Sequence, residues 1–322
     1  MSLIHNIKLN YKLKLLDDLF KEKSFDELKE ILAKEKKDNP NIYFQLLKNY
    51  DAKFLKETNY SDFYDKKINW LISYDLDLIE IISSFLDFYF SKFAPSKFQN
   101  EYYLKVLSKE LSYFSSDFSQ INFEQIIKNS SLFQTIILLS TEYDYNFFQS
   151  TGAFFEAKQF NNLFTNPNMS NSFIYILSDP FLLFKKYKEK FNSSEAALNE
   201  ICNFNNETNK YFSKSDDNQI FEDVRKSWNV NVKSWIDPNV INSFKGLIVR
   251  YGDIIANPEE NFVQILYHLK QSGEKIDVEY SIVREYLDGF QIPILEKNSL
   301  SNKETKIIRS NLDKSLLEEF NY

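Results

Sequence analysis

Two periods of apolar positions alternate along this chain. Ile68, Trp70, Leu71 and Ile72 form a short apolar run suited to a buried strand, and Leu78, Ile81, Ile82, Phe85 and Phe88 then recur at helical spacing. The same alternation returns downstream. Ile136, Ile137, Leu138 and Leu139 form a second run, Phe173 to Leu177 a third, and Leu247, Ile248 and Val249 a fourth. Behind the last run, Phe262, Ile265, Leu266 and Leu269 share one helix face. Apolar runs alternating with helical pattern predict an α/β fold, with a mainly parallel sheet flanked by helices and strands near 68–73, 135–140, 173–177 and 246–250. In such units the loop between strand and helix lies at the carboxyl end of the sheet. Free backbone N–H groups can hold phosphate there.

Ahead of this pattern, Leu15, Leu16, Leu19 and Phe20, then Phe25, Leu28, Ile31 and Leu32, recur at helix periods. Ser24 and Glu27 have the spacing of a capping box, and Asn39 with Pro40 breaks the second helix. The stretch KEKSFDELKEILAKEKKDNPNIYFQL loosely resembles one tetratricopeptide unit, and a single unit cannot bury its own face. Residues 1–65 are therefore expected to be a helical extension packed on a main domain of residues 66–322. Between the apolar runs, Tyr102 to Leu107 and Phe118 to Ile127 suggest helices, and Tyr143 to Phe164 is polar and aromatic. Thr165 to Asn168 reads as a turn, and Asn203 to Asp217 as a loop rich in Asn, Ser and Asp.

Charge and composition narrow the chemistry. With 322 residues, a formal charge of −7 and a pI near 5.2, the average field repels nucleic acid and anionic membrane. No apolar run approaches the ~20 residues that span a bilayer, and the amino terminus lacks the pattern of a signal peptide, so a cytoplasmic location is expected. Cys202 is the only cysteine and His5 and His268 the only histidines. An intrachain disulfide is thereby excluded, a cysteine-based zinc site with it, and no metal is expected. The four arginines are Arg225, Arg250, Arg284 and Arg309, so bidentate phosphate recognition is scarce, and none of the five glycines lies in a Gly-rich phosphate loop.

Ser73, Tyr74 and the helix after them resemble the first phosphate-binding segment of sulfotransferases, enzymes that use 3′-phosphoadenosine 5′-phosphosulfate (PAPS). That segment runs roughly Ser-Tyr-Pro-(Lys/Arg)-Ser-Gly-(Thr/Asn)-Thr-Trp. Here Leu76 stands at the cation, Leu78 at the glycine and Glu80 at a hydroxyl, with Asp75 before them and Asp77 between the two leucines. SDPFLLFKKY resembles the second segment, Arg-(Asn/Asp)-Pro-Arg-Asp with a later serine. Asp179 and Pro180 are kept, Ser178 replaces the arginine that pairs with the 3′-phosphate, and Lys186 falls at the serine, with Lys185 and Lys188 beside it. SWNVNVKSWI resembles the family's Trp-x-x-x-Val-x-Ser-Trp helix. LIVRYGDIIANPEENF resembles Val-x-Arg-Tyr-Glu-Asp-Leu with its Asn/Asp-Pro turn, keeping Arg250, Tyr251 and Asp253. The strand at 135–140 ends in Ser140, Thr141 and Glu142 where the family has Lys-Thr-His, which puts Glu142 at the general base. Gln291 to Lys306 lacks the family's Arg-Lys-Gly triplet.

The resemblance covers residues 66–322 and implies the sulfotransferase version of a P-loop-like three-layer fold. It leaves two readings of function. In the first, Ser73, Tyr74, Ser178, Lys185 and Lys186 are vestiges of a cosubstrate site, and the protein is non-catalytic, with a structural role or one in binding a protein or small-molecule partner, without a cofactor. Each lost charged contact weakens anion binding by ~1.5–3 kcal/mol, so the joint losses favour this reading. In the second, the protein is an active divergent sulfotransferase that moves a sulfo group from PAPS to a hydroxyl or amine acceptor. Glu142 is then the base, and Lys185 and Lys186 hold the anion.

Overall fold

The computed structural model describes residues 3–22, 24–39, 42, 43, 45, 46, 67–103, 106, 143–154, 169–202, 225–289 and 300–322. The chain divides into two compact units, one of residues 1–67, 105–142 and 156–169 and one of residues 68–104, 143–155 and 170–322. In the first unit, helices α1 (Leu3–Lys21) and α2 (Phe25–Asp38) pair. Leu16, Leu19, Leu28 and Leu32 are buried at the i, i+3/i+4 positions that the sequence pattern marks. Lys12 forms an ion pair with Glu35, which also accepts a hydrogen bond from Asn39 Nδ2 at 3.2 Å. Ser24 is the N-cap of α2 but its side chain makes no capping bond, so the Ser24/Glu27 spacing does not close into a capping box.

The second unit is built on a five-stranded sheet, all of its described pairings parallel, in the order β2-β3-β1-β4-β5. The strands are β1 (Ile68–Ser73), β2 (Phe98–Tyr102), β3 (Tyr145–Ser150), β4 (Ser170–Leu177) and β5 (Gly246–Arg250). β1, β4 and β5 stand where the apolar runs predict them. The expected strand at 135–140 lies outside the described residues. β2 and β3, by contrast, come from stretches with no apolar run. Phe98–Tyr102, which overlaps the start of a predicted helix, is the outer strand FQNEY, and Tyr145–Ser150 is YNFFQS with Phe147 and Phe148 fully buried. The expected helix at Phe118 to Ile127, the turn at 165–168 and the loop at 203–217 also lie outside the described residues.

Alternation along the strands separates two faces. Leu71, Phe147, Ile174, Ile176 and Val249 point to one, where they pack under helices α3 (Leu76–Phe93), α9 (Pro258–Ser272) and α10 (Tyr280–Gly289) through Ile82, Phe85, Phe262, Leu266 and Val283. Phe85 stacks on Phe262 with centroids 4.2 Å apart, and Tyr286 meets both rings edge-on. Trp70, Phe148, Phe173 and Tyr175 point to the other face. Trp70 packs there against Tyr103 and donates its Nε1–H to Ser170 Oγ at 3.0 Å. Trp235 covers Phe173 and Tyr175. It belongs to α6 (Trp228–Ile236), which follows α4 (Pro180–Phe191) and α5 (Ser194–Cys202). The other described helices are α7 (Pro238–Ser243), α8 (Tyr251–Ala256), α11 (Asn302–Asn311) and α12 (Lys314–Glu319).

This arrangement places a switch point between β1 and β4. The chain leaves β1 through α3 over one face, whereas the crossover from β4 to β5 runs through α6 over the opposite face. Connections that diverge from neighbouring parallel strands leave a crevice outside the strands' carboxyl ends, and ligands of open α/β sheets bind in such crevices.

Candidate functional site

Two strand–loop–helix units face each other across that crevice. β1 ends at Ser73, Tyr74 and Asp75 follow, and Asp75 is the N-cap of α3, with its Oδ1 accepting the Asp77 N–H at 3.1 Å. β4 ends at Leu177, Ser178 follows, and Asp179 is the N-cap of α4, with its Oδ1 accepting the Phe181 N–H at 2.8 Å while Pro180 opens the helix. Both aspartates thus satisfy backbone donors that a bound anion would otherwise take. Neither N-terminus carries a glycine through which a ligand could approach the backbone.

Across the crevice, spacing on α4 brings Asp179, Leu182, Leu183 and Lys186 to one side of that helix. Lys186 reaches back to the β1 loop, with its Nζ 2.6 and 2.7 Å from the two oxygens of Asp75 and 2.5 Å from Asp77 Oδ2. The Asp75 side chain is 6% exposed, Lys186 25% and Asp77 69%, so the contact to Asp75 is the inner, desolvated half of the cluster. A cavity of 210 Å³ lies here. It is lined by Asp75, Asp77, Ser178, Asp179 and Lys186 on the polar side, and by Leu78, Ile81, Leu182, Leu183 and Tyr251 on the apolar side. Ser178 is buried, its carbonyl accepts the Trp228 Nε1–H at 3.1 Å, and among the described residues its Oγ has no hydrogen-bond partner.

The other residues expected at the site have structural partners. Ser73 Oγ donates to the Ile176 carbonyl at 2.9 Å and so ties β1 to β4. Tyr74 is fully buried, and its Oη donates to the Glu200 carbonyl at 2.7 Å. Ser73, Tyr74 and Lys185 are not among the residues lining the cavity, and Glu80 is exposed outside it. Glu142 lies outside the described residues. Arg250 donates from Nη2 to the Phe320 carbonyl at 2.7 Å and lies over the Tyr322 ring.

A second cation nearby was not singled out by sequence reasoning. Arg225 lies 4.7 Å above the Tyr74 ring and 5.7 Å from that of Tyr187, donates to Tyr187 Oη at 3.1 Å and forms an ion pair with Glu200. Burial opposes its charge, but Tyr74, Tyr187 and Glu200 more than offset this and hold its pKa above the ordinary arginine value. Burial likewise pushes the phenols of Tyr74 and Tyr187 up, so both remain protonated donors at neutral pH. Arg225 is therefore committed to its aromatic and acidic neighbours. The signal in the sequence, a lone arginine after a polar stretch, carries no spacing that would reveal them.

His268, on α9, is half-buried, and burial lowers its pKa. Among the described residues no group of His, Cys, Asp and Glu side chains could hold a metal ion, and no helix is long and apolar enough to cross a membrane. No protein-family model matches the chain, and no curated protein matches it either.

Proposed function

We propose that this chain is a sulfotransferase-like domain in which the PAPS site has degenerated, and that it serves as a non-catalytic binding or structural protein. The supporting framework is the parallel sheet with two strand–loop–helix units side by side, each beginning its helix where the resemblance puts a phosphate segment. One observation carries the loss of the anion site. Lys186, the cation lining the cavity, is held by two carboxylates of the loop that should cradle phosphate. An incoming phosphosulfate would have to strip Lys186 from Asp75 and then face both carboxylates at close range, where unit charges repel strongly in a half-desolvated crevice.

The two helix N-termini point the same way. In a working phosphate loop their N–H groups and partial positive charge serve the ligand. Here Asp75 and Asp179 already accept from them. Calorimetry with PAPS and with its desulfated product, 3′-phosphoadenosine 5′-phosphate, tests the reading at moderate salt. No saturable heat is expected from either nucleotide. Micromolar binding of either would favour the divergent-enzyme reading.

A further inference from the structure

The two outer strands of the described sheet differ in how their edges are defended. Proteins commonly guard an exposed strand edge with charge, proline or a bulge, because its N–H and C=O groups otherwise recruit another strand. β2 carries the exposed Glu101 among its polar residues. β5, which ends the described sheet on the other side, reads GLIVR, with no charge before Arg250 and no proline. Its two flanking cations are engaged elsewhere. Lys245 Nζ donates to the Ser272 carbonyl at 2.7 Å, and Arg250 Nη2 to that of Phe320 at 2.7 Å. The Phe173 N–H donates to the Lys245 carbonyl, so alternation turns the backbone of Leu247 and Val249 towards β4 and that of Gly246 and Ile248 outward. A second observation lies beside this edge. Helix α9 runs over β4 and β5, and a shallow groove of 420 Å³ lies between it and β5. Leu247, Val263, Glu260, Gln264, Tyr267 and Gln271 line the groove, and Tyr267 is 42% exposed. Glu260 carries the one formal charge among these six.

From this geometry we infer that β5 pairs antiparallel with β5 of a second copy of this chain, with Ile248 on the two-fold axis, so that two sheets join into one. Placing Ile248 opposite the partner's Ile248 sets Gly246 opposite the partner's Arg250. The outward N–H and C=O groups then face each other in hydrogen-bonded pairs, about four bonds in all. The same operator puts Leu247 beside the partner's Val249 on the α9 face. Neighbouring strands lie ~4.8 Å apart, so two helices each seated over β4 and β5 come to about 10 Å from one another, which is the packing distance of helices. They run antiparallel, which carries Glu260 at the start of one helix towards the partner's Gln271 at the end of the other. Like charges therefore stay apart, and both exposed Tyr267 rings are covered. A second copy is the occupant this groove fits. Among the described residues the groove holds no cluster of charge to select an oppositely charged partner, and the two-fold operator covers both grooves at once.

The test is sedimentation equilibrium of the full chain, with hydrogen–deuterium exchange on the same samples. The wild type should form a dimer at tens of micromolar. Tyr267→Lys, an exposed change that brings a charge from each copy into the joint, should raise the dissociation constant about tenfold. Glu101→Lys, at the guarded edge, should leave it unchanged. In the dimer the N–H groups of Gly246 and Ile248 should exchange about tenfold more slowly than in the monomer, while those of Leu247 and Val249, already bonded to β4, should change less. A monomer at every concentration would overturn the inference. So would a dimer that leaves Gly246 and Ile248 unprotected, or one that Tyr267→Lys does not weaken. Full protection of those two amides in a sample that sediments as a monomer would overturn it as well, because another segment then covers the edge.

Discussion

Replacing Lys186 with methionine keeps the apolar stem and removes the ammonium between Asp75 and Asp77. Stripping a fully buried ion pair of one partner costs ~3–5 kcal/mol, whereas an exposed pair is worth ~0–1 kcal/mol. The pair with Asp75 lies between these limits, nearer the buried one, because the Asp75 carboxylate is 6% exposed but Lys186 is 25% exposed and Asp75 keeps the Asp77 N–H. The expected loss for Lys186→Met is therefore about 2–3 kcal/mol. Asp75→Asn keeps the helix cap, since asparagine caps as well as aspartate, and should cost about 1 kcal/mol. If the cost of the lysine change comes from a stranded carboxylate, the double variant should be little worse than Asp75→Asn alone. The coupling is then about 2 kcal/mol.

Urea unfolding followed by tryptophan fluorescence measures this cycle in the sheet unit, because Trp70, Trp228 and Trp235 all belong to it. The midpoint should fall in Lys186→Met with little change in slope. A coupling below about 0.5 kcal/mol would refute the picture of a desolvated pair and reduce the contact to an ordinary surface bridge.

Three further outcomes are expected. Gly246→Ala should destabilise the sheet unit by about 1–3 kcal/mol, read from the same urea midpoint, because a Cβ there would overlap the Phe173 ring, which is confined beneath Trp235. Glu304 caps the start of α11 with Ser301, and its carboxyl is held down at about 2, from an ordinary 4.5, by the hydrogen bond from Lys188 and those from Ser301. A depressed folded-state pKa adds stability above 4.5 that is lost as pH falls towards 2, so Glu304→Gln should flatten the acid limb of a thermal-melt profile over that window. Burial pushes the Cys202 thiol up to about 11 from 9.0, so alkylation by iodoacetamide at pH 7.5 should run about 100-fold slower than for an unburied thiol.

Much of the frame was legible because it rests on local pattern. The runs at Ile68 and Phe173 are buried on both sides, as central parallel strands require, the run at Leu247 is a short apolar strand at the end of the described sheet, and the helix after each repeats its apolar positions at three and four. β2 and β3 escaped for the converse reason. FQNEY is an outer strand in the described sheet in which Phe98 packs against the core ahead of three polar residues, and YNFFQS places two polar residues around a pair of phenylalanines. The site was legible in its parts but not in its assembly. Ser178 and Lys186 could be named from the second segment, and Asp75 could be noticed as a carboxylate in the wrong place. That Asp75 caps a helix and receives Lys186 depends on the loop after β1 meeting the helix after β4, with the two residues 111 apart in the chain. No sequence spacing encodes that meeting.

The parallel pairings set a timetable for synthesis. β1 has no partner close in sequence, since Ile68 pairs with Asn146 on one side and Ser170 on the other. At a ribosomal rate of about 5–20 residues per second, the strand INWLIS waits roughly 5–20 s for its later neighbour to be made. During that interval Trp70, Leu71 and Ile72 present an unpaired apolar edge, the feature most prone to wrong association. Chaperone capture of nascent chains should therefore be strongest after β1 has emerged and should fade once β4 is out. The centre of the finished sheet is also the part of the chain that stays incomplete longest.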